Sequence, residues 1–415
     1  MRDKLSLFLL LTGSLLYVFD VGSDIYVAIT HYNKGDLWWF GVSIALVLLP
    51  SIIVNIWSHF MVGMDYRSKK VKLIDFLACV LQLSVIQQYW EAFKRWWKRK
   101  NKHNLDKQFY NQNDFTICRS RSWERSSLEK KSNATYAYCL ALTCYVDAFV
   151  ESAPQWCLQT YIMLRRLSFP WVTIVSTSVS LLSLAWSITS LEKSRKIRHT
   201  DPTMTFPRRS LIAFTLWQLG ILVSRLSAIV VFAYAFRSYV FIVIGIHWTA
   251  VIVVILINQY YVRQGIRQVK VKITMIVFIR SYPLLFHMSN FTSDIMFCNF
   301  SENTAKILNV VCYAVFFWEN VVMASFPVWH EPTSTPHVEF LAKIVLPLVF
   351  GGFAIGLLFY GLYYNCFNPR KVVMKKNLSK QLQIKKLQSD ELLDPEIDGN
   401  YERMRSDLVY YETAV

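Results

Sequence analysis

The sequence predicts an all-α polytopic membrane protein, and three observations carry that expectation. Of 415 residues, 54% are hydrophobic and only 18% are charged, too apolar a balance for a water-soluble chain. The apolar residues gather into runs of spanning length, about 20 residues each. The 45 Lys and Arg residues concentrate between alternate runs, the bias that places basic loops in the cytoplasm. A net charge of +17 follows from that topology and from anionic inner-leaflet lipid, so nucleic acid is not an expected partner.

Taken in order, Met1-Arg2-Asp3-Lys4 leads into a first run over 5–28. No small-residue cleavage site follows a short core, so this run is expected to remain as a span. The His31 to Asp36 turn and a second span over 37–61 complete a helical hairpin, with Trp38 and Trp39 at the interface and Pro50 predicting a kink. After Arg67-Ser68-Lys69-Lys70, the apolar part of the next segment is about 14 residues or about 21 Å long, too short for a core of about 30 Å. A re-entrant half-helix over 73–90 is expected, polar enough through Asp75, Gln82, Gln87 and Gln88 to line a cavity. Trp90, Trp96 and Trp97 among Lys94, Arg95, Lys98 and Arg99 predict an exit along the headgroups. Residues 98–132 read as a charged cytoplasmic loop.

A long helix over 134–164 carries Asp147 and Glu151 and is expected to bend at Pro154. Arg165-Arg166-Leu167-Ser168 turns the chain into a Ser/Thr-rich span over 169–191 containing Trp186, which closes on a charged end with Lys193. A Pro-containing connector then opens the second half. That half repeats the plan: a span over 211–236 with Arg225, a span over 239–259, a half-helix over 271–288 broken by Arg280 and Pro283, a span over 305–326 with Glu319, and a span over 338–364. The expected architecture is eight transmembrane helices and two re-entrant half-helices in two repeats, 1–200 and 201–369, followed by a cytoplasmic regulatory tail over 370–415. With both termini cytoplasmic, only Lys34, Arg165, Arg166 and Arg237 fall in outer turns. The three sequons at Asn133, Asn290 and Asn299 then lie inside, where they escape glycosylation.

No HExxH, GxSxG, Walker or Rossmann signature is present, and the eight histidines and eight cysteines lack ligand spacing. Neither an enzyme, a metal site nor a cofactor is expected. What stands out is intramembrane charge: Asp20, Asp24, Asp147 and Glu151, with Arg225, Glu319 and Lys193. Asp20/Asp24 and Asp147/Glu151 are both spaced i, i+4, so each pair shares a helix face. A charge near the bilayer centre costs about 2.5–3.5 kcal/mol on insertion scales, so these groups must face protein, water or cations. Two readings stay open: an ion-pair network that fixes helix register, or a polar track for lipid headgroups or ions.

The segments Phe19-Asp20-Val21-Gly22-Ser23-Asp24-Ile25 and Phe149-Val150-Glu151-Ser152-Ala153-Pro154-Gln155-Trp156 resemble the XK-related family, as do Ser224-Arg225-Leu226 and Tyr363-Tyr364-Asn365-Cys366-Phe367-Asn368-Pro369. That resemblance implies eight spans and two partly inserted helices. It also implies a phospholipid scramblase of the plasma membrane that exposes phosphatidylserine on dying cells once a caspase removes the cytoplasmic tail. Asp20, Asp24, Asp147, Glu151, Lys193 and Arg225 match the family's buried charges, and Trp186 its lipid-path tryptophan. Cys144 departs from relatives that carry arginine beside the acids. Other members act as adaptors for lipid-transfer or cell-surface partners, and a solute transporter using the charged core is a third reading.

Within the tail, Asp394-Pro395-Glu396-Ile397-Asp398-Gly399 offers the caspase an Asp398–Gly399 bond, with Pro395 where executioner caspases prefer Asp. The ending Glu412-Thr413-Ala414-Val415 has the form captured by PDZ domains, through Thr413 and the Val415 carboxylate. Membrane phospholipid, a caspase, a single-span chaperone subunit and a PDZ-domain protein are the expected partners.

Overall fold

A computed structural model describes residues 2–65, 83–110, 119–199, 206–262, 277, 281–287, 302–330 and 341–368. Among them every regular element is helical: α1 (Arg2–Asn33), α2 (Leu37–Asp65), α3 (Leu83–Tyr110), α4 (Arg119–Val150), α5 (Ser152–Arg166), α6 (Trp171–His199), α7 (Arg208–Phe236), α8 (Tyr239–Val262) and α9 (Glu302–His330). A short 3-10 turn follows α8 at Pro283–Leu285, and α10 (Leu346–Leu362) is flanked by π turns Leu341–Val345 and Tyr363–Phe367. In a bilayer each backbone amide must be satisfied within its own segment, which is why apolar runs of this length become helices.

Seven helical segments among the described residues, α1, α2, α6 to α9 and α10 with its flanking π turns, are long and apolar enough to cross a membrane. The expected 134–164 span is not one helix. Its backbone breaks at Glu151 (φ −102°, ψ −69°), which separates α4 from α5 one turn before Pro154. Proline has no N–H for the Val150 carbonyl and its ring crowds that carbonyl, so the disruption falls at residues i−4 and i−3 rather than at the proline itself. The chain still passes through the break, since Glu151 N–H donates to Asp147 O at 2.9 Å and Gln155 N–H to Glu151 O at 3.1 Å.

The expected loop over 98–132 is also corrected: α3 continues to Tyr110 and α4 begins at Arg119. A charged surface helix lacks the continuous apolar run that marks a span, so its sequence reads as loop. Most of the two expected half-helices lies outside the described residues; of 271–288 the chain shows the Pro283–Leu285 turn, and of 73–90 the start of α3.

The larger unit, Met1–Met204 with Phe214–Tyr360, contains all the polar groups considered below. Its first half is built on α6, which packs against α1, α4 and α5, while α2 closes over α1 and α4. In the second half α7 is the buried helix, with Trp217, Ile221, Leu222 and Leu226 almost fully enclosed. It meets α10 through glycine: a Cβ on Gly220 would stand 2.6 Å from the Gly352 carbonyl oxygen and 2.7 Å from Gly356 N, the close backbone approach that small residues permit between membrane helices. In the smaller unit, Thr205–Ala213 with Gly361–Val415, Ser210 Oγ donates to the Phe367 carbonyl.

Candidate functional site

Three helices of the first half turn polar stripes toward one another. On α1 the stripe is Asp20, Asp24 and His31; on α5 it is Ser152, Gln155 and Gln159; on α6 it is Ser176 and Ser180. All are buried, and the spacings of three, four and seven residues keep each set on one face. Ser152 Oγ donates to Asp20 Oδ2 at 2.6 Å and Ser180 Oγ to Asp20 Oδ1 at 2.5 Å. Ser176 Oγ donates to Asp24 Oδ1 at 3.0 Å. Beyond Asp24 the row passes to His31, whose ring lies 3.5 Å from Gln159 Oε1, and Gln159 Nε2 donates to Ser43 of α2 at 3.4 Å. From Asp20 to His31 the row is about 16 Å long at 1.5 Å per residue.

Among the described residues no Lys or Arg is ion-paired with Asp20 or Asp24; the groups that serve them are hydroxyls. Serine is tolerated in α6 because the carbonyl of the preceding turn offers its hydroxyl an alternative acceptor: Ser180 Oγ lies 3.1 Å from the Ser176 carbonyl oxygen. Asp24 Oδ2, Thr160 Oγ1 and both amide atoms of Gln155 are enclosed without a hydrogen-bond partner among the described residues. Each such atom costs about 1–3 kcal/mol if left unsatisfied.

Asp147 and Glu151 continue this group where α4 breaks, both at 5% exposure or less. Asp147 lies near Asp20, and Tyr17 lies near Asp147, Glu151 and Asp20. Cys144, one turn before Asp147, donates its Sγ–H to Tyr89 Oη at 3.4 Å, so a neutral thiol stands where an arginine would bring charge. Tyr89 reaches this position over Gly13, whose Cβ would lie 2.7 Å from that hydroxyl oxygen.

Arg225 does not join these acids; its partners come from the second half. The guanidinium, 1% exposed, donates to the Leu285 carbonyl and to Asn320 Oδ1, both at 3.0 Å, and pairs with Glu319 Oε2 at 2.9 Å. It also lies 4.4 Å from the centre of the Phe316 ring. Glu319 receives His247 Nδ1 at 2.8 Å, and Asn320 Nδ2 donates to Ser224 Oγ at 3.1 Å. Every edge of the buried cation is answered, as a buried charge requires.

The Pro283–Leu285 turn and the two residues after it touch both groups. Leu285 accepts from Arg225, while His287 lies 2.7 Å from Tyr145 Oη and stacks on Phe149, both on the acid-bearing helix α4. Trp186 is half-buried on α6. Lys193 is half-buried near the end of the same helix, beside Glu192, which is ion-paired with Arg195 and with Lys196 at 2.9 Å. Asp398, Gly399, Thr413 and Val415 lie outside the described residues. No group of three or more metal-ligating side chains occurs among the described residues.

Sequence reasoning missed the serine partners, because serine in an apolar span carries no mark of what it faces. It also missed His247 and Asn320. A histidine within the 239–259 span was the available signal, but the 72 residues between His247 and Glu319 hide the pairing.

The comparisons with known proteins bear on this arrangement. Residues 8–369 match the model of the family described as XK-related protein. The chain is 24% identical over 373 residues to XK-related protein 8 of Tetraodon nigroviridis, covering 86% of this chain and 82% of the relative. It is 22% identical over 417 residues to Cell death abnormality protein 8 of Caenorhabditis elegans, covering 93% and 84%. The family match takes in both the carboxylate row and the Arg225 group, and the chain belongs to the XK-related family.

Proposed function

We propose that the protein is a phospholipid scramblase of the plasma membrane that exposes phosphatidylserine on dying cells, held inactive by its tail and released when a caspase cuts Asp398–Gly399. The observation that carries the reading is the buried pair Asp20 and Asp24, served by serine hydroxyls and, among the described residues, by no Lys or Arg. A headgroup crossing a bilayer needs partners in place of water. Carboxylates at Asp20, Asp24, Asp147 and Glu151 receive its ammonium, the hydroxyls of Ser152, Ser176 and Ser180 hold the Asp20 and Asp24 carboxylates in place for it, and the acyl chains stay in lipid. No energy source or cofactor is needed for movement down a gradient. Membership of a family with relatives named for cell death abnormality supports the setting.

In this reading α4 and α5 together make the eighth crossing, the segments about 73–90 and 271–288 supply the two half-helices, and both termini are cytoplasmic. A single-span chaperone subunit and a PDZ-domain protein bound at Val415 are further partners of the intact chain. The test is reconstitution: proteoliposomes holding full-length protein, or protein ending at Asp398, with a fluorescent phospholipid followed by its accessibility to a reductant. Truncation is expected to raise the bleached fraction from about half toward completeness. Absence of lipid movement in both forms points to an adaptor, and substrate flux without lipid movement to a transporter.

A further inference from the structure

One surface lies outside the polar row. Helix α3 is seated on the bundle by one face: Val85 and Trp96 are buried, Tyr136 Oη donates to the Gln88 carbonyl at 3.1 Å, and the Arg95 guanidinium lies 4.3 Å from the Tyr136 ring centre. The opposite face carries Ile86, Trp90 and Trp97 at 41%, 55% and 50% exposure. Phe93 stacks between the two indoles, 5.8 Å from Trp90 and 6.4 Å from Trp97. Lys94 Nζ stands 5.6 Å from the Trp90 ring, and Lys100 Nζ 5.7 Å from that of Trp97. With 100° per residue, Lys94 and Lys98 border this aromatic stripe on one side and Lys100 on the other.

Its depth is fixed by neighbours. Tyr136 takes Arg95, and Tyr138, two residues along α4, takes Arg198 at 4.7 Å. The basic turn of α3 thus lies level with the basic end of the spanning helix α6, where headgroups begin.

We propose that this face of α3 is a binding surface for anionic phospholipid, with the indoles set among the acyl boundary and Lys94, Lys98 and Lys100 holding the headgroups. The leaflet supplies both an apolar layer and anions at its edge. The chain's own tail supplies them less well: Lys375, Lys376, Lys380, Lys385 and Lys386 repel the face, and Pro395 interrupts the acidic stretch that follows. The surface stands independently of scrambling, and its failure leaves that reading untouched.

Photocrosslinking locates the lipid. Full-length protein in nanodiscs receives diazirine-labelled phosphatidylserine or phosphatidylcholine at equal mole fraction, and adducts are mapped by mass spectrometry. Adducts on 86–101 are expected to favour phosphatidylserine about five-fold or more, since that is the effect of one lysine near an anionic surface. Lys94→Gln/Lys98→Gln/Lys100→Gln brings the ratio near unity without changing adducts on α8. Glu91→Gln, which removes the acid paired with Lys94 at 2.9 Å, raises it. Equal labelling by both probes, or a ratio indifferent to the triple substitution, overturns the proposal. So does a preference that emerges only when the chain ends at Asp398, which assigns the face to residues 399–415.

Discussion

The two halves of the bundle bury charge in opposite ways. In the second half a cation is surrounded: Arg225 has Glu319, Asn320 and the Leu285 carbonyl, and Glu319 has His247 as well. In the first half Asp20 and Asp24 are met by serine hydroxyls, which satisfy some lone pairs and neutralise nothing. A complete ion pair holds its helices together and offers little to a visitor. An acid row with only hydroxyls keeps its capacity for a cationic group. Under the proposed function, the second half carries the structural reading of the intramembrane charges and the first half the polar-track reading.

The largest expected effect comes from breaking the complete group. Arg225→Met leaves the Leu285 carbonyl, Asn320 and Glu319 without their shared donor, and removing one member of a buried pair costs about 3–5 kcal/mol. The melting temperature in detergent is expected to fall steeply, with reduced expression. Arg225→Met/Glu319→Gln recovers part of the loss, because the stranded carboxylate is then gone. If Arg225→Met melts like wild type, the second half is not held by this pair.

How far the sequence foretold this division depends on what each residue leaves in the pattern. Apolar runs of spanning length were legible, since a continuous run needs no partner to be recognised; α1 and α9 extend the expected spans at both ends, α7 at its start, α2, α6 and α8 at their ends, and α10 lies within the expected 338–364. The acids were legible by their cost in lipid. Their partners were not: Ser180 and Asp20 are 160 residues apart and Arg225 and Asn320 are 95, and no local spacing encodes such contacts. Arg225 was grouped with the acids on charge alone, whereas the fold gives it Glu319. The α4 break was foreseen through Pro154 but placed a turn late, because the residue that distorts a helix and the carbonyl that loses its bond lie four apart.

A second contrast concerns packing around the two groups. Gly220→Ala puts a Cβ 2.6 Å from the Gly352 carbonyl oxygen, a backbone atom that cannot swing away, so α7 and α10 must separate. The expected cost is about 1–3 kcal/mol. Gly22, on α1 between Asp20 and Asp24, has nothing within 4 Å of its Cβ. Gly22→Ala is expected to be neutral or to stabilise by up to about 1 kcal/mol, the helix-propensity gain of alanine over glycine. Parallel melts of the two variants test whether the second half is the tighter of the two; equal losses would remove that distinction.

Smaller in stability, and more telling for function, is Asp20→Asn. The amide oxygen still accepts from one serine, so the expected loss is about 1 kcal/mol, the net value of one hydrogen bond. Expression should be near wild type. Scrambling by the truncated protein should drop severalfold, because the carboxylate that receives an ammonium is gone while the fold remains. Glu151→Gln is expected to behave in the same way. Loss of expression in step with loss of activity would instead return these acids to a structural role.

The smallest effect lies at the end of the row. Asp36, in the turn between α1 and α2, accepts from Arg166 Nη1 at 2.8 Å, and that hydrogen bond holds the Asp36 carboxyl below its ordinary value of 3.8. A carboxyl depressed in the folded state binds its proton more readily when unfolded. Its contribution to stability is therefore fully present above the ordinary carboxylate value and is lost as pH falls through the depressed one. Wild type and Arg166→Gln are expected to differ slightly in melting temperature at pH 7, by an amount that shrinks with added salt, and to converge once the pH has fallen through the depressed Asp36 value. This pair ties the α1–α2 turn to the end of α5 at the solvent edge, whereas Asp20 and Asp24 lie deeper on α1 beside hydroxyls alone. A gap that persists unchanged at low pH would show that Arg166 acts through packing of its stem, and the contrast between a paired acid at the mouth and hydroxyl-served acids within would then lose its electrostatic basis.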